Sequence, residues 1–68
     1  MNRLRELREN HNLTQRECAE IANISKKTYE RYEKGVREIP SRVLVKFYYY
    51  YNVSVDYILC ITADERQY

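Results

Sequence analysis

The sequence predicts an all-α chain, a compact bundle of five short helices. Three observations carry that prediction. Gly35 is the only glycine and Pro40 the only proline, too few turn residues for a β-fold of this size. Helix-start signals recur, with Thr14, Ser25 and Ser54 each placed as an N-cap. Apolar residues follow three- and four-residue spacing, most clearly at Val43, Leu44, Phe47, Tyr48 and Tyr51.

The first helix is predicted from about Asn2 to Asn10, with Leu4 and Leu7 as its core stripe and Arg5 and Glu9 spaced as an i,i+4 surface pair. Asn12 is expected in the left-handed conformation that ends the turn before Leu13. His11 reads as a polar residue at a helix C-terminus, where its charge is mildly favourable. No companion ligands stand near it in sequence.

Thr14 and Glu17 form a capping box that starts the second helix at Gln15. Ser25 starts a third at Lys26. Between them lies Ala22-Asn23-Ile24, with Asn23 able to take the left-handed turn. Cys18, Ala19, Ala22, Ile24, Tyr29 and Tyr32 are the positions two crossed helices would bury, and Ala19 is the point of close approach. On the third helix, at about 100° per residue, Thr28, Tyr29 and Tyr32 share one side. Lys27, Glu30, Arg31 and Lys34 share the other, with Lys26 at the edge. An aromatic inner face and a basic outer face, propped by a short capped helix, suit the major groove of DNA.

From Gln15 to Gly35 the chain resembles the helix-turn-helix of the lambda-repressor/Cro family, also called the xenobiotic-response-element family. The residues that carry the resemblance are Gln15, Ala19, Ile24, Ser25 and Arg31-Tyr32-Glu33-Lys34-Gly35. Arg5-Glu6-Leu7-Arg8 and Asn52-Val53-Ser54-Val55-Asp56-Tyr57 resemble the family's first and last helices, so the likeness covers nearly the whole chain. It implies that Lys26, Lys27, Thr28 and Arg31 reach base edges. Gln15 would contact a phosphate and brace the recognition helix, while Lys34 and Arg37 hold the DNA backbone. Lysine or arginine on this face suits guanine O6 and N7. Glu30 either accepts from cytosine N4 or pairs with Lys26, Lys27, Arg31 or Lys34. The chain departs from the family pattern at Asn23 (usually glycine), Tyr29 (usually valine or isoleucine), Ala22 (often leucine) and Tyr48 (usually alanine). The larger Tyr29 is expected to fill volume vacated at Ala22.

After Gly35, Val36 to Pro40 reads as a loop, and Pro40 opens a fourth helix from Ser41 to Tyr51, ended by Asn52. Ser54 caps a last helix, Val55 to Cys60, with Asp56 in its first turn. Residues 1–62 therefore form the domain, and the apolar-poor tail 63–68 is expected to fray. Four consecutive aromatics cannot all share one helix face. With Tyr48 and Tyr51 inward, Tyr49 and part of Tyr50 must face outward, beside the apolar segment around Ile58 and Ile61. These four residues are read as a dimer surface; the plainer alternative is incidental surface tyrosine.

Sixty-eight residues with net charge +2 give a small core and only a weak overall basicity. The charge is concentrated instead, with Lys26, Lys27, Arg31, Lys34 and Arg37 against Glu30 and Glu33. Cys18 and Cys60 lack metal-type spacing, and no signal peptide or membrane-length apolar run is present. The expected setting is the cytoplasm, on the nucleoid. No phosphate loop, zinc motif or carboxylate pair marks an enzyme, and neither a cofactor nor a metal is expected. The resulting expectation is a transcriptional regulator that binds double-stranded DNA at a two-fold symmetric operator, a repressor acting by occupancy as a homodimer. Any inducing signal would come by a regulatory protein partner, proteolysis or concentration. Two alternatives are an antitoxin that also binds a toxin protein, and an interaction module on the same fold without DNA binding.

Overall fold

Left-handed residues at the helix ends set the path of the chain. A computed structural model describes residues 1–63, with α1 (Leu4–Asn10), α2 (Gln15–Ala22), α3 (Lys26–Lys34), α4 (Ser41–Tyr51) and α5 (Val55–Ile58). The all-α expectation holds, with no strand among the described residues. Asn12, Asn23, Gly35 and Asn52 have φ of 56°, 58°, 76° and 57°. After α1, α2 and α3 the turn closes in the same way. In α2, for example, Asn23 N–H donates to Glu20 O at 3.1 Å and Ile24 N–H reaches back to Ala19 O at 2.9 Å. Those two bonds satisfy carbonyls that a helix end would otherwise leave open.

The helix starts are equally local. Thr14 Oγ1 accepts from Glu17 N–H at 3.1 Å while Glu17 Oε1 accepts from Thr14 N–H at 2.8 Å, completing the capping box. Ser25 and Ser54 accept from the backbone N–H groups of Thr28 and Tyr57 at 3.1 and 3.0 Å. Two helix bounds differ from the sequence reading. α1 begins at Leu4, because Asn2 stands outside it and accepts from Leu4 N–H at 3.0 Å. α5 stops at Ile58, because Cys60 turns left-handed at φ 64° and Ile61 N–H returns to Asp56 O at 2.8 Å.

The core forms where these helices cross. Leu4, Cys18, Tyr29, Val43, Phe47 and Ile58 are fully buried. Phe47 stacks on Tyr51 at 5.5 Å and meets Tyr29 edge-on at 6.0 Å, an aromatic cluster through which α4 reaches α3 while it packs on α2. The Tyr51 hydroxyl and Cys18 Sγ are hydrogen-bonded at 3.3 Å, which settles the polar ends of both side chains inside the core. The ring of His11 packs on Tyr51 at 4.8 Å, and its Nδ1 donates to Leu7 O at 2.9 Å, the helix-end role expected of it.

Ile58 is a correction. Placed by the sequence on an exposed surface, it has no solvent exposure at all and belongs to the core. A helix of four residues is too short for its periodicity to reveal which side faces inward. Tyr48 is half-buried, rather than inward with Tyr51. Its ring meets that of Tyr49 edge-on at 5.0 Å. Of the predicted tail 63–68, Ala63 is exposed and residues 64–68 lie outside the described residues.

Ala19 is 2 % exposed at the α2–α3 crossing. Ala19→Leu is expected to cost about 1–3 kcal/mol by overpacking. Asn23→Gly should be neutral or mildly stabilising, since glycine takes the left-handed conformation without strain. Urea unfolding of both variants checks this pair, and a clear loss on Asn23→Gly would mean that the asparagine side chain holds the turn.

Candidate nucleic-acid interface

The outer face of α3 is set by what its inner face buries. Tyr29 and Tyr32 are in the core, so helical geometry turns Lys27, Arg31 and Lys34 to the opposite side, where all three are exposed. Among the described residues none of these three cations has a carboxylate partner. Lys26 does: its Nζ lies 3.3 Å from Glu30 Oε1. Of the two roles open to Glu30 in the sequence, the structure realises the ion pair with Lys26. Thr28 is half-buried and its Oγ1 accepts from Ser25 Oγ at 2.8 Å, so the hydroxyl serves the cap of α3. Arg37 is exposed in the loop after α3, and Val36 beside it is 71 % exposed.

A bridge spanning three helices holds this face in place. Arg8 on α1 meets Glu33 on α3 through two parallel bonds, Nε to Oε2 at 3.0 Å and Nη2 to Oε1 at 3.1 Å. Arg8 Nη1 also donates to Leu13 O at 3.2 Å, ahead of α2. Gln15 Nε2, in the first turn of α2, reaches Glu33 Oε1 at 3.4 Å. That contact joins the first turn of α2 to α3. Burial pushes the Glu33 carboxyl pKa up, but the bonds from Arg8, with Gln15 adding to them, outweigh burial and leave it below the ordinary carboxylate range. The bond to Glu33 raises the Arg8 guanidinium in turn. The Tyr29 hydroxyl faces both the Glu33 carboxylate and Cys18, yet no hydrogen bond closes in either direction. Burial drives its pKa far above the ordinary tyrosine range.

Above this bridge the surface is concave. A groove of about 800 Å³ runs past the start of α2, lined by Gln15 and by the cations Arg5, Arg8, Arg16, Lys26 and Lys34, with Glu33 among them. Backbone N–H groups at a helix start and cations in the lining suit a phosphate oxygen. Sequence reasoning gave no site role to Arg16 or Arg8. Arg16 lies outside the basic run from Lys26 to Arg37, and Arg8 gains meaning only from a partner 25 residues away. Arg5 carries the surface pair with Glu9 that its spacing predicts, at 3.3 Å.

The predicted dimer residues divide. Tyr49, Tyr50 and Ile61 are 74 %, 49 % and 70 % exposed, while Ile58 is the core residue described above. Among the described residues, no cluster of His, Cys, Asp or Glu is placed to hold a metal ion, and no helix is long and apolar enough to cross a membrane.

Comparison with known proteins points the same way as the geometry. The pattern described as "Helix-turn-helix domain" matches residues 1–60. The chain is 45 % identical over 62 residues to the uncharacterized HTH-type transcriptional regulator YobD of Bacillus subtilis (strain 168), covering 91 % of this chain and 55 % of that protein. It is 40 % identical over 57 residues to the HTH-type transcriptional regulator ImmR of the same organism, covering 84 % of this chain and 45 % of the relative. The chain thus spans about half the length of the curated relatives it matches. No solved structure matches it.

Proposed function

The chain belongs to the helix-turn-helix domain family, and from that membership we propose that it is a sequence-specific double-stranded DNA-binding transcriptional regulator. In this reading it is a repressor that occupies a two-fold symmetric operator on the nucleoid as a homodimer and excludes polymerase. The observation that carries the reading is the outer face of α3. Among the described residues Lys27, Arg31 and Lys34 pair with no carboxylate, and they stand on a helix whose opposite side is locked into the core. A helix held that firmly can present side chains to base edges in the major groove without first ordering itself.

The roles follow from position. Lys27 and Arg31, central on the face, read guanine O6 and N7. Lys26 and Glu30, joined at 3.3 Å, lie at the margin of the face; opening that pair would free Lys26 for a base or Glu30 for cytosine N4. Thr28 supports the N-terminal turn of α3 next to the bases. Gln15, Lys34 and Arg37 take phosphates, with Arg16 joining them across the groove. One such helix reads only a few base pairs. Two copies about 34 Å apart along the duplex would match a palindromic site. The exposed Tyr49, Tyr50 and Ile61 are proposed as the surface that joins them, through a two-fold contact between like patches.

Selection of bound sequences from random DNA tests the reading. A two-fold motif supports it, and the absence of any enrichment would leave an interaction module on the same fold. Within the selected site, Lys27→Ala or Arg31→Ala should each weaken specific binding by about 1–3 kcal/mol and relax base preference. Lys34→Ala should weaken matched and mismatched sites alike. Unchanged base preference in both of the first two variants would place the wrong helix face on the DNA.

A further inference from the structure

The first residues of the chain make contacts that the proposed DNA contacts do not account for. Asn2 bonds in two directions: its Oδ1 accepts from Leu4 N–H at 3.0 Å, and its Nδ2 donates to Tyr32 O at 2.8 Å, near the C-terminal end of α3. Arg3, next to it, is tied to the other end of the molecule. Its backbone N–H donates to Ile58 O, the last residue of α5, at 2.8 Å. Its guanidinium lies 4.4 Å from the centre of the Tyr57 ring and donates to Thr62 O at 3.4 Å. The Tyr57 hydroxyl in turn donates to Glu6 on α1 at 3.3 Å. Two adjacent residues therefore hold the end of the recognition helix on one side and both α5 and its exit on the other.

The space between those two ends makes this arrangement matter. A cleft of about 370 Å³ opens there, lined by Asn2, Gly35, Ile39, Leu44 and Leu59. Where side chains do not fill the gap, hydrogen bonds across it set the distance. α5 is only four residues long and cannot hold a direction by itself. Its orientation comes from packing on α4, from the burial of Ile58 with Val55, Tyr57 and Leu59 against the core, and from the contacts with Arg3 and Glu6. Ile61, three residues past that buried anchor, is tied back to α5 by its N–H bond to Asp56 O at 2.8 Å, so it moves with α5.

We infer that Asn2 and Arg3 are positioning residues for operator binding, a strap that fixes α3 relative to the segment ending at Ile61 and thereby the separation of the two recognition helices in the dimer. This rests on the homodimer reading. Neither residue touches DNA in this account. They act on spacing, so their loss should be felt where two half-sites must be engaged together and hardly at all where one is.

The experiment uses the operator recovered by selection, a duplex carrying one half of it, and operators whose centre is lengthened or shortened by a single base pair. Asn2→Asp keeps an acceptor for Leu4 N–H while removing the donor to Tyr32 O. Arg3→Met keeps apolar contact with the Tyr57 ring while removing the donor to Thr62 O. Circular dichroism melting establishes that each variant is folded, and either one alone is enough for the test. The expected result is half-site affinity within about twofold of wild type, a loss of about tenfold on the full operator, and a flattened preference among the spacer lengths. Equal losses on half and full sites, or an unchanged spacer preference, would overturn the strap while leaving the dimer intact. A wild-type chain that binds half and full operators equally would overturn the dimer reading and the strap with it.

Discussion

Ile58→Asp is expected to abolish folding rather than dimerisation. The side chain is wholly enclosed in the core, so a carboxylate there either loses its hydration or takes up a proton. Both cost several kcal/mol on top of the lost apolar burial. A domain of this size rarely holds more than about 3–5 kcal/mol in reserve. The variant should therefore show no cooperative thermal transition and a far-ultraviolet circular dichroism spectrum of largely unfolded chain. Tyr50→Asp and Ile61→Asp are the contrasting cases. Both positions are open to water, so these chains should fold, sediment as monomers at micromolar concentration and bind the operator weakly. A well-folded Ile58→Asp variant with a melting transition near that of wild type would show that α5 packs differently from the way described above.

Arg8→Ala should be the most damaging change among the charged residues. The pair with Glu33 leaves only 16 % and 6 % of the two side chains exposed. Removing the guanidinium strands a carboxylate that the fold still buries and leaves Leu13 O without its donor. Breaking a buried pair from one side costs about 3–5 kcal/mol, and the lower end applies here because Arg8 keeps an edge in water. The pH dependence has a definite sign. The folded carboxyl of Glu33 sits below its ordinary value of 4.5. Its contribution is therefore present above that value and is lost as pH falls through the depressed one. Urea unfolding of wild type and variant should differ most near neutrality and converge in acid. A difference that stays constant down to the acid limit would mean that the stabilisation is packing rather than charge.

What the sequence revealed was local. The box of Thr14 and Glu17, the caps at Ser25 and Ser54, and the turns at Asn12, Asn23, Gly35 and Asn52 each depend on residues a few places apart. Side-chain chemistry alone announces them. Cys60 takes the same left-handed turn unannounced, because cysteine has no preference for that conformation that a reader could use. The face of α3, and that of α4 at Val43, Leu44, Phe47 and Tyr51, were legible because each helix is long enough for its period to show, while Tyr48 lies at the border of its face and was read as inward. α5 is not, and Ile58 was misplaced for that reason. The bridge from Arg8 to Glu33 and the strap from Asn2 to Tyr32 join residues 25 and 30 positions apart. No spacing rule connects them before the chain is folded. The candidate site was thus visible as a face, while the groove at Arg16 and the bracing behind the face required three dimensions.

The asparagine turns also bear on how the protein ages. Asparagine deamidates when the backbone nitrogen of the next residue attacks its side-chain amide, and a small, mobile neighbour speeds that reaction. At Asn12 and Asn23 the next residues are Leu13 and Ile24, both bulky. Their N–H groups are already committed to Arg8 O at 3.0 Å and Ala19 O at 2.9 Å. The nitrogen that would attack is held in the bond that ends the helix. The geometry that turns the chain therefore protects those two amides, and chemical decay at either site requires that helix end to open first.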